Sequence, residues 1–340
     1  MNEDEIKESS IVTLGSNCIA RVDYSIAITN KLLFESIAEL FNKAFRLINK
    51  QQLKENENYL LLLETNPSFR KNSKFNFSNR KKAEYEEAMA ILLNFLKIKP
   101  RHHISLDMLG ICKNHIGDKL GAIENFSKAI EIDSNYEYAY FSRGSVKSDL
   151  KDYEGAIEDY SKAIKINLKN EFSYNNRGNA KLKLNDYQGA IDDFSKAIEI
   201  DSQYTYPYIG RAITKLEIED YAGVIEDCSK AIEIDGNYAN SYFTRGKGKV
   251  ELEDFVGAIE DFSKIIQIKP LSTLGYFARG TAKIRIKDYE GAIEDFSKAI
   301  EIDPKYIIAY INRGFSKKKI GDIEGANKDI SISKKLQNNQ

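Results

Sequence analysis

The sequence predicts an all-α protein, a solenoid of helix hairpins, and three observations predict it. From Leu106 onward the chain repeats every 34 residues, seven times in register, so that Ala122, Ala156, Ala190, Val224, Ala258, Ala292 and Ala326 fall under one another. Each unit carries two amphipathic stripes at helical period. In residues 137–170 the first stripe is Ala139, Tyr140, Arg143, Gly144 and Lys147, and the second is Tyr153, Ala156, Ile157, Tyr160, Ala163 and Ile164. Between the stripes every unit places an aspartate where a helix N-cap is wanted: Asp118, Asp152, Asp186, Asp220, Asp254, Asp288 and Asp322. Such a carboxylate accepts free backbone N–H groups of the second helix and contributes about 1 kcal/mol.

Small residues such as Gly144 with Ala156, and Gly280 with Ala292, let two helices approach, and aromatics such as Tyr140 and Tyr160 fill the remaining volume. This framework resembles the tetratricopeptide repeat, whose period it shares. The match covers about two thirds of the chain and is close in residues such as Tyr276, Gly280, Ala292, Phe296, Ala299 and Pro304. Departures are Leu106 for the first aromatic, Ala212 for the glycine and Cys228 for the second aromatic. The resemblance implies a right-handed α–α superhelix whose inner groove is lined by the first helix of each unit. It also implies the inward positions, here Tyr138, Phe141, Phe172, Asn175, Asn179, Tyr206, Ile209, Phe243, Lys247, Phe277, Thr281, Ile311 and Phe315. This set does not reproduce the Lys/Asn/Arg clamp by which some relatives hold a terminal carboxylate of chaperones.

One departure is systematic. Where the family places an apolar residue before the glycine, this chain has Arg143, Arg177, Arg211, Arg245, Arg279 and Arg313. Sixteen residues later each of these units has Asp159, Asp193, Asp227, Asp261, Asp295 and Asp329, whereas the first unit has Leu109 and Asn125, losing both members together. The covariation predicts a charge-assisted Arg–Asp bridge between the two helices of each hairpin. A lysine recurs as well, from Lys113 to Lys317, with a stem able to cover the hairpin while its ammonium reaches water or the aspartate.

The expected organisation is an irregular segment 1–30, N-terminal helices with a basic loop in 31–83, a degenerate half repeat in 84–102, and seven repeats in 103–340. The repeats run 103–136, 137–170, 171–204, 205–238, 239–272, 273–306 and 307–340. Helices are expected over Lys31–Lys50 and Tyr59–Leu63, and a solvated basic loop from Asn66 to Lys82, which holds six Lys and Arg residues and no acid. Tyr85, Ala88, Leu92, Phe95 and Pro100 fit the second helix of a unit, so the N-terminal part can close the apolar end of the array. In the last unit Asn327, Ser333 and Lys334 replace apolar residues, which predicts a polar outer face on the final helix.

Charge and composition exclude several function classes. The net charge is −1, with 34 basic and 38 acidic residues from His103 onward, so neither nucleic acid nor an anionic membrane is expected as the main partner. No run reaches the roughly 20 apolar residues of a membrane span. The odd, scattered Cys18, Cys112 and Cys228 suit a reducing compartment, and a cytoplasmic protein is expected. His102, His103 and His115 form no metal-ligand spacing with cysteines or carboxylates, and no glycine-rich phosphate loop occurs, so no cofactor or metal is expected.

Val12-Thr-Leu-Gly-Ser-Asn-Cys-Ile-Ala-Arg21 resembles the opening motif of a bacterial family of papain-like cysteine peptidases, which implies Cys18 as nucleophile. The family's Phe-Asp-Trp type segment and downstream histidine are not visible, and the chain has no tryptophan. A thiolate without a positioned base is a poor nucleophile. The expected function is therefore a non-enzymatic scaffold holding a peptide segment of another protein in the groove. The rival readings are a recruiting arm on an incomplete cysteine peptidase and an RNA-associated adaptor using the basic segment.

Overall fold

The computed structural model describes residues 11–14, 18–21 and 69–338. Residues 11–14 and 18–21 depart from the irregular segment expected there: strand β1 (Ile11–Leu14) pairs antiparallel with β2 (Cys18–Arg21), Leu14 opposite Cys18. β-Branched Ile11, Val12, Thr13 and Ile19 favour an extended chain. The helices expected over 31–50 and 59–63 lie outside the described residues.

Everything else described is helical. The basic stretch expected as a loop is helix from Phe69 onward, the first half of α1 (Phe69–Ile98). No glycine or proline interrupts these 30 residues, and Lys, Arg and Ala are good helix formers, so backbone propensity decides where no apolar stripe does. Fourteen helices follow as seven antiparallel hairpins: α2 (His103–His115) with α3 (Lys119–Ile132), α4 (Glu137–Asp149) with α5 (Tyr153–Ile166), and α6 (Glu171–Lys183) with α7 (Tyr187–Ile200). Then come α8 (Thr205–Glu217) with α9 (Tyr221–Ile234), α10 (Ala239–Glu251) with α11 (Phe255–Ile268), α12 (Thr273–Arg285) with α13 (Tyr289–Ile302), and α14 (Ile307–Lys319) with α15 (Ile323–Asn338).

The chain divides into two compact units, Met1–Leu168 and Lys169–Gln340. In the first, Tyr85, Ala88, Leu92 and Phe95 of α1 are buried against Ile104, Met108, Leu109 and Cys112 of α2. In the second, first helices of neighbouring hairpins touch, α6 with α8, α8 with α10 and α12 with α14. All seven aspartate caps form: each carboxylate accepts the N–H of the glycine three residues on, at 2.8–3.0 Å.

The departures from the repeat pattern compensate one another. A Cβ on Gly246 would lie 2.5 Å from the Phe262 ring, so that hairpin needs glycine opposite its aromatic. The α8–α9 hairpin has Ala212 facing Cys228 instead, the smaller thiol leaving room for a methyl group, and both are fully buried with Val224. In the last hairpin Asn327 and Lys334 are exposed as expected, but Ser333 is buried. Its hydroxyl reaches back to the Ile330 carbonyl at 2.8 Å, which satisfies it inside the helix pair.

Candidate partner-binding face

The repeated charges are built from both helices of a hairpin. Arg279 projects from α12 and Asp295 from α13; Nε donates to Oδ2 at 2.9 Å and Nη2 to Oδ1 at 2.6 Å, a fork-to-fork pair. The same pair joins Arg143 with Asp159, Arg177 with Asp193, Arg211 with Asp227, Arg245 with Asp261 and Arg313 with Asp329. Each aspartate, at most 5% exposed as a side chain, receives a lysine at 2.8–3.0 Å as well: Lys147, Lys181, Lys215, Lys249, Lys283 or Lys317. A buried carboxylate is tolerated because both oxygens are filled by cations. For Arg279 the Asp295 bond leads in holding the guanidinium above its ordinary pKa, against burial. For Asp329 burial works to raise the pKa, and the bonds from Arg313 and Lys317 outweigh it and hold the carboxyl below its ordinary value.

Two partners of the arginine were not legible in the spacing. Nη1 donates to a serine of the preceding hairpin, in Arg143–Ser127, Arg211–Ser195, Arg245–Ser229, Arg279–Ser263 and Arg313–Ser297, at 2.9–3.1 Å. The guanidinium also lies 5.5–5.9 Å from the ring of the tyrosine three residues earlier, from Tyr140 to Tyr310. The serine recurs visibly in the Ser-Lys-Ala-Ile run, but only the stacking of neighbours reveals what it meets.

The groove residues divide by burial. Phe141, Phe243 and Phe277 are half-buried and pack on Tyr160, Phe262 and Phe296 of their own hairpins, at 5.8–6.1 Å between ring centres. Asn175 and Ile209 are buried, contrary to a role on an open groove. Ile209 is held in a cluster with Tyr208 and Ala231, and the Asn175 amide donates to Asn176 at 3.1 Å. Tyr138 and Phe172 are half-buried against Tyr136 and Tyr204. Asn179, Lys247 and Thr281 are exposed, with Tyr206 at 54%, Ile311 at 42% and Phe315 at 45%. Leu274 and Ile308, on the same helices and not expected in the set, are also exposed.

The residues considered for chemistry have structural work. His102 caps α2, its Nδ1 accepting the Ser105 N–H, and burial, then the charges of His103 and Lys99, push its pKa down to about 4. His115 stacks on Tyr85, ring centres 4.5 Å apart. Cys112 and Cys228 are buried free thiols, each pushed up to about 12, chiefly by burial. Among the described residues no group of His, Cys, Asp and Glu is placed to hold a metal, and no helix is long and apolar enough to cross a membrane. Cys18 opens β2, and the residues between it and Leu14 lie outside the described set.

Comparison with known proteins agrees with the hairpin geometry. The tetratricopeptide repeat profile matches residues 172–204, and a second TPR repeat profile matches 146–185 and 285–321. No curated protein matches significantly. Among solved structures the fold is similar to a tetratricopeptide repeat protein from Parabacteroides merdae, with TM-score 0.55, 18% identity, and 83% of this chain and 99% of that chain covered. It is similar also to the APC/C hetero-tetramer Cut9–Hcn1, with TM-score 0.55, 14% identity, and 85% and 56% covered. Yeast Tom70 follows, with TM-score 0.51, 22% identity, and 76% and 56% covered. At these identities the likeness is one of fold. The matched stretches are tetratricopeptide repeats, and the seven capped hairpins share the fold of solved tetratricopeptide repeat proteins.

Proposed function

We propose that the chain is a non-enzymatic scaffold whose first-helix face takes a peptide segment of a partner protein. The tetratricopeptide fold is typical of protein–protein interaction scaffolds. The observation that carries the proposal is the set of large side chains standing open on these helices: Tyr206, Leu274, Ile308, Ile311 and Phe315. Exposed apolar residues also stand on second helices and turns, as at Val256 and Leu271; the first-helix set is preferred because Tyr206, Ile311 and Phe315 occupy positions that the tetratricopeptide pattern turns inward. The buried free thiols Cys112 and Cys228 suit a reducing compartment, in keeping with a cytoplasmic scaffold.

The face separates binding from stability. Peptides selected for binding to the full chain are expected to weaken on Tyr206→Ala or Phe315→Ala by about 1–2 kcal/mol, with melting unchanged. Phe243→Ala, which removes a ring packed on Phe262, is expected to lower stability by about 3 kcal/mol. Selected peptides that bind both exposed-residue variants as tightly as the parent chain would remove this face from the function.

A further inference from the structure

The second unit carries a continuous strip of four aromatic rings. Phe172 lies 5.1 Å from Tyr204, Tyr204 lies 5.7 Å from Tyr206, and Tyr206 lies 5.5 Å from Tyr238. Tyr206 is 54% exposed and the flanking rings are half-buried, so the strip has an open centre on a fixed base.

Two of these rings stand where the helix would favour another residue. Tyr204 and Tyr238 are the N-caps of α8 and α10, and neither makes a side-chain cap bond. At the same repeat position Asn170 caps α6 through the Ser173 N–H at 2.8 Å, and Ser272 caps α12 through the Gly275 N–H at 3.0 Å. Tyr136 and Tyr306 also make no side-chain cap bond at this position and lie beside Tyr138 and Phe277, whereas Tyr204 and Tyr238 are successive and both adjoin Tyr206.

The surroundings carry negative charge. Burial first, then Tyr206, Glu171 and Asp201, push the Tyr204 phenol up; burial, Tyr206 and Asp235 do the same for Tyr238, against the bond from Asn240. Aromatic faces are themselves negative, and a cation over them is stabilised most where carboxylates stand nearby. A phosphate or carboxylate ligand would meet repulsion here.

We infer that this strip, within the peptide-binding face proposed above, takes an arginine or lysine side chain of the partner's segment. The cation lies against Tyr206 with Tyr204 and Tyr238 beside it, and Glu171, Asp201 and Asp235 complement its charge. Ring faces, rather than hydroxyls, supply the attraction.

The test is fluorescence anisotropy on the full chain with a labelled alternating arginine–serine peptide and counterparts carrying citrulline or glutamate for arginine. Expected is binding of the arginine peptide, with the counterparts weaker by roughly tenfold or more. Tyr206→Ala is expected to cost roughly fivefold to tenfold, while Tyr206→Phe, which keeps the ring, stays within about twofold. Glu171→Gln should cost roughly twofold to threefold at low salt and less at high salt. Val256→Ala, an exposed residue of α11 outside the proposed face, should leave this affinity unchanged. Equal binding of arginine and citrulline peptides, or an arginine-peptide affinity untouched by Tyr206→Ala, overturns the assignment. So does absence of binding by all three probes; if selected peptides still respond to Tyr206→Ala and Phe315→Ala, the scaffold reading survives that failure, and if they do not, both fall.

Discussion

The first hairpin and the α12–α13 hairpin have the same backbone plan and opposite interiors. Asp295 is buried with Arg279 and Lys283 filling its oxygens. In the first hairpin Leu109 and Asn125 occupy those places, the Asn125 amide nitrogen is buried without a hydrogen-bond partner among the described residues, and the buried acid sits two residues from Leu109 as Asp107. Its Oδ2 accepts the Tyr136 hydroxyl at 3.2 Å, whereas Oδ1 has no hydrogen-bond partner among the described residues. Burial accordingly pushes the Asp107 carboxyl up to about 7, with the Tyr136 bond working the other way. The same residue type is thus a charged strut in one hairpin and a near-neutral acid in the other, and the difference is whether cations were buried with it.

The largest expected effect breaks the charged rung. Asp295→Leu orphans both Arg279 and Lys283 and should cost about 3–5 kcal/mol, while Arg279→Leu, which leaves Lys283 on the aspartate, should cost less. The double change should recover most of the loss, since no buried charge is then unpaired. Urea unfolding with hydrogen exchange of the α12 and α13 amides measures all three; small additive effects would show that solvent, not burial, governs these charges.

The second prediction uses pH to sharpen the contrast. Asp107 has a folded pKa of about 7 against 3.8 ordinarily, so the folded hairpin holds its proton more tightly and loses stability as pH rises between those values. Asp107→Leu should therefore stabilise α2 by up to about 4 kcal/mol above pH 7, and by far less near pH 4. Asp329 has the opposite sign: its folded pKa is depressed, so its stabilisation holds above the ordinary value of 3.8 and is lost as pH falls below it. Exchange rates of α2 and α15 amides across pH 3–8 should trend oppositely.

The smallest effect concerns the turns. Gly117 and Gly321 adopt φ of 93° and 91° before the aspartate caps of the first and last hairpins, where the five hairpins between them use Lys151, Asn185, Glu219, Glu253 and Lys287 at φ of 61–66°. Left-handed backbone favours glycine, so Glu253→Gly should raise stability by about 0.5–1 kcal/mol, net of the unfolded-state entropy that glycine adds. Thermal melts resolve that difference.

The hairpins, the aspartate caps and the Arg–Asp covariation are legible in the sequence because each lies within one 34-residue unit at constant spacing. What was not legible depends on how units meet. Ser263 recurs as faithfully as Asp295, yet its bond to Arg279 belongs to two hairpins, and spacing alone does not say which neighbour a guanidinium will choose. Tyr204 and Tyr238 were missed because the position reads as a connection, and their value lies in rings contributed by other elements. Asn175 and Ile209 were read as groove residues from their place in the repeat, but side-chain size and neighbours bury them. The start of α1 was missed because it carries propensity without a stripe.

The arginine that grips its own aspartate with one edge and a neighbour's serine with the other gives each unit a plug on one side and a socket on the other. Leu109, lacking the plug, falls sixteen residues after Leu93, where the socket would be hydrophobic. At the far end Ser331, the counterpart of Ser297 in α15, stands exposed. Copying or deleting a whole hairpin within α8–α15 re-forms a complete joint, because what the cut leaves behind is one plug and one socket. Array length in such a chain is free to change by duplication without a compensating mutation, and an extra hairpin spliced after α15 would find its acceptor already in place.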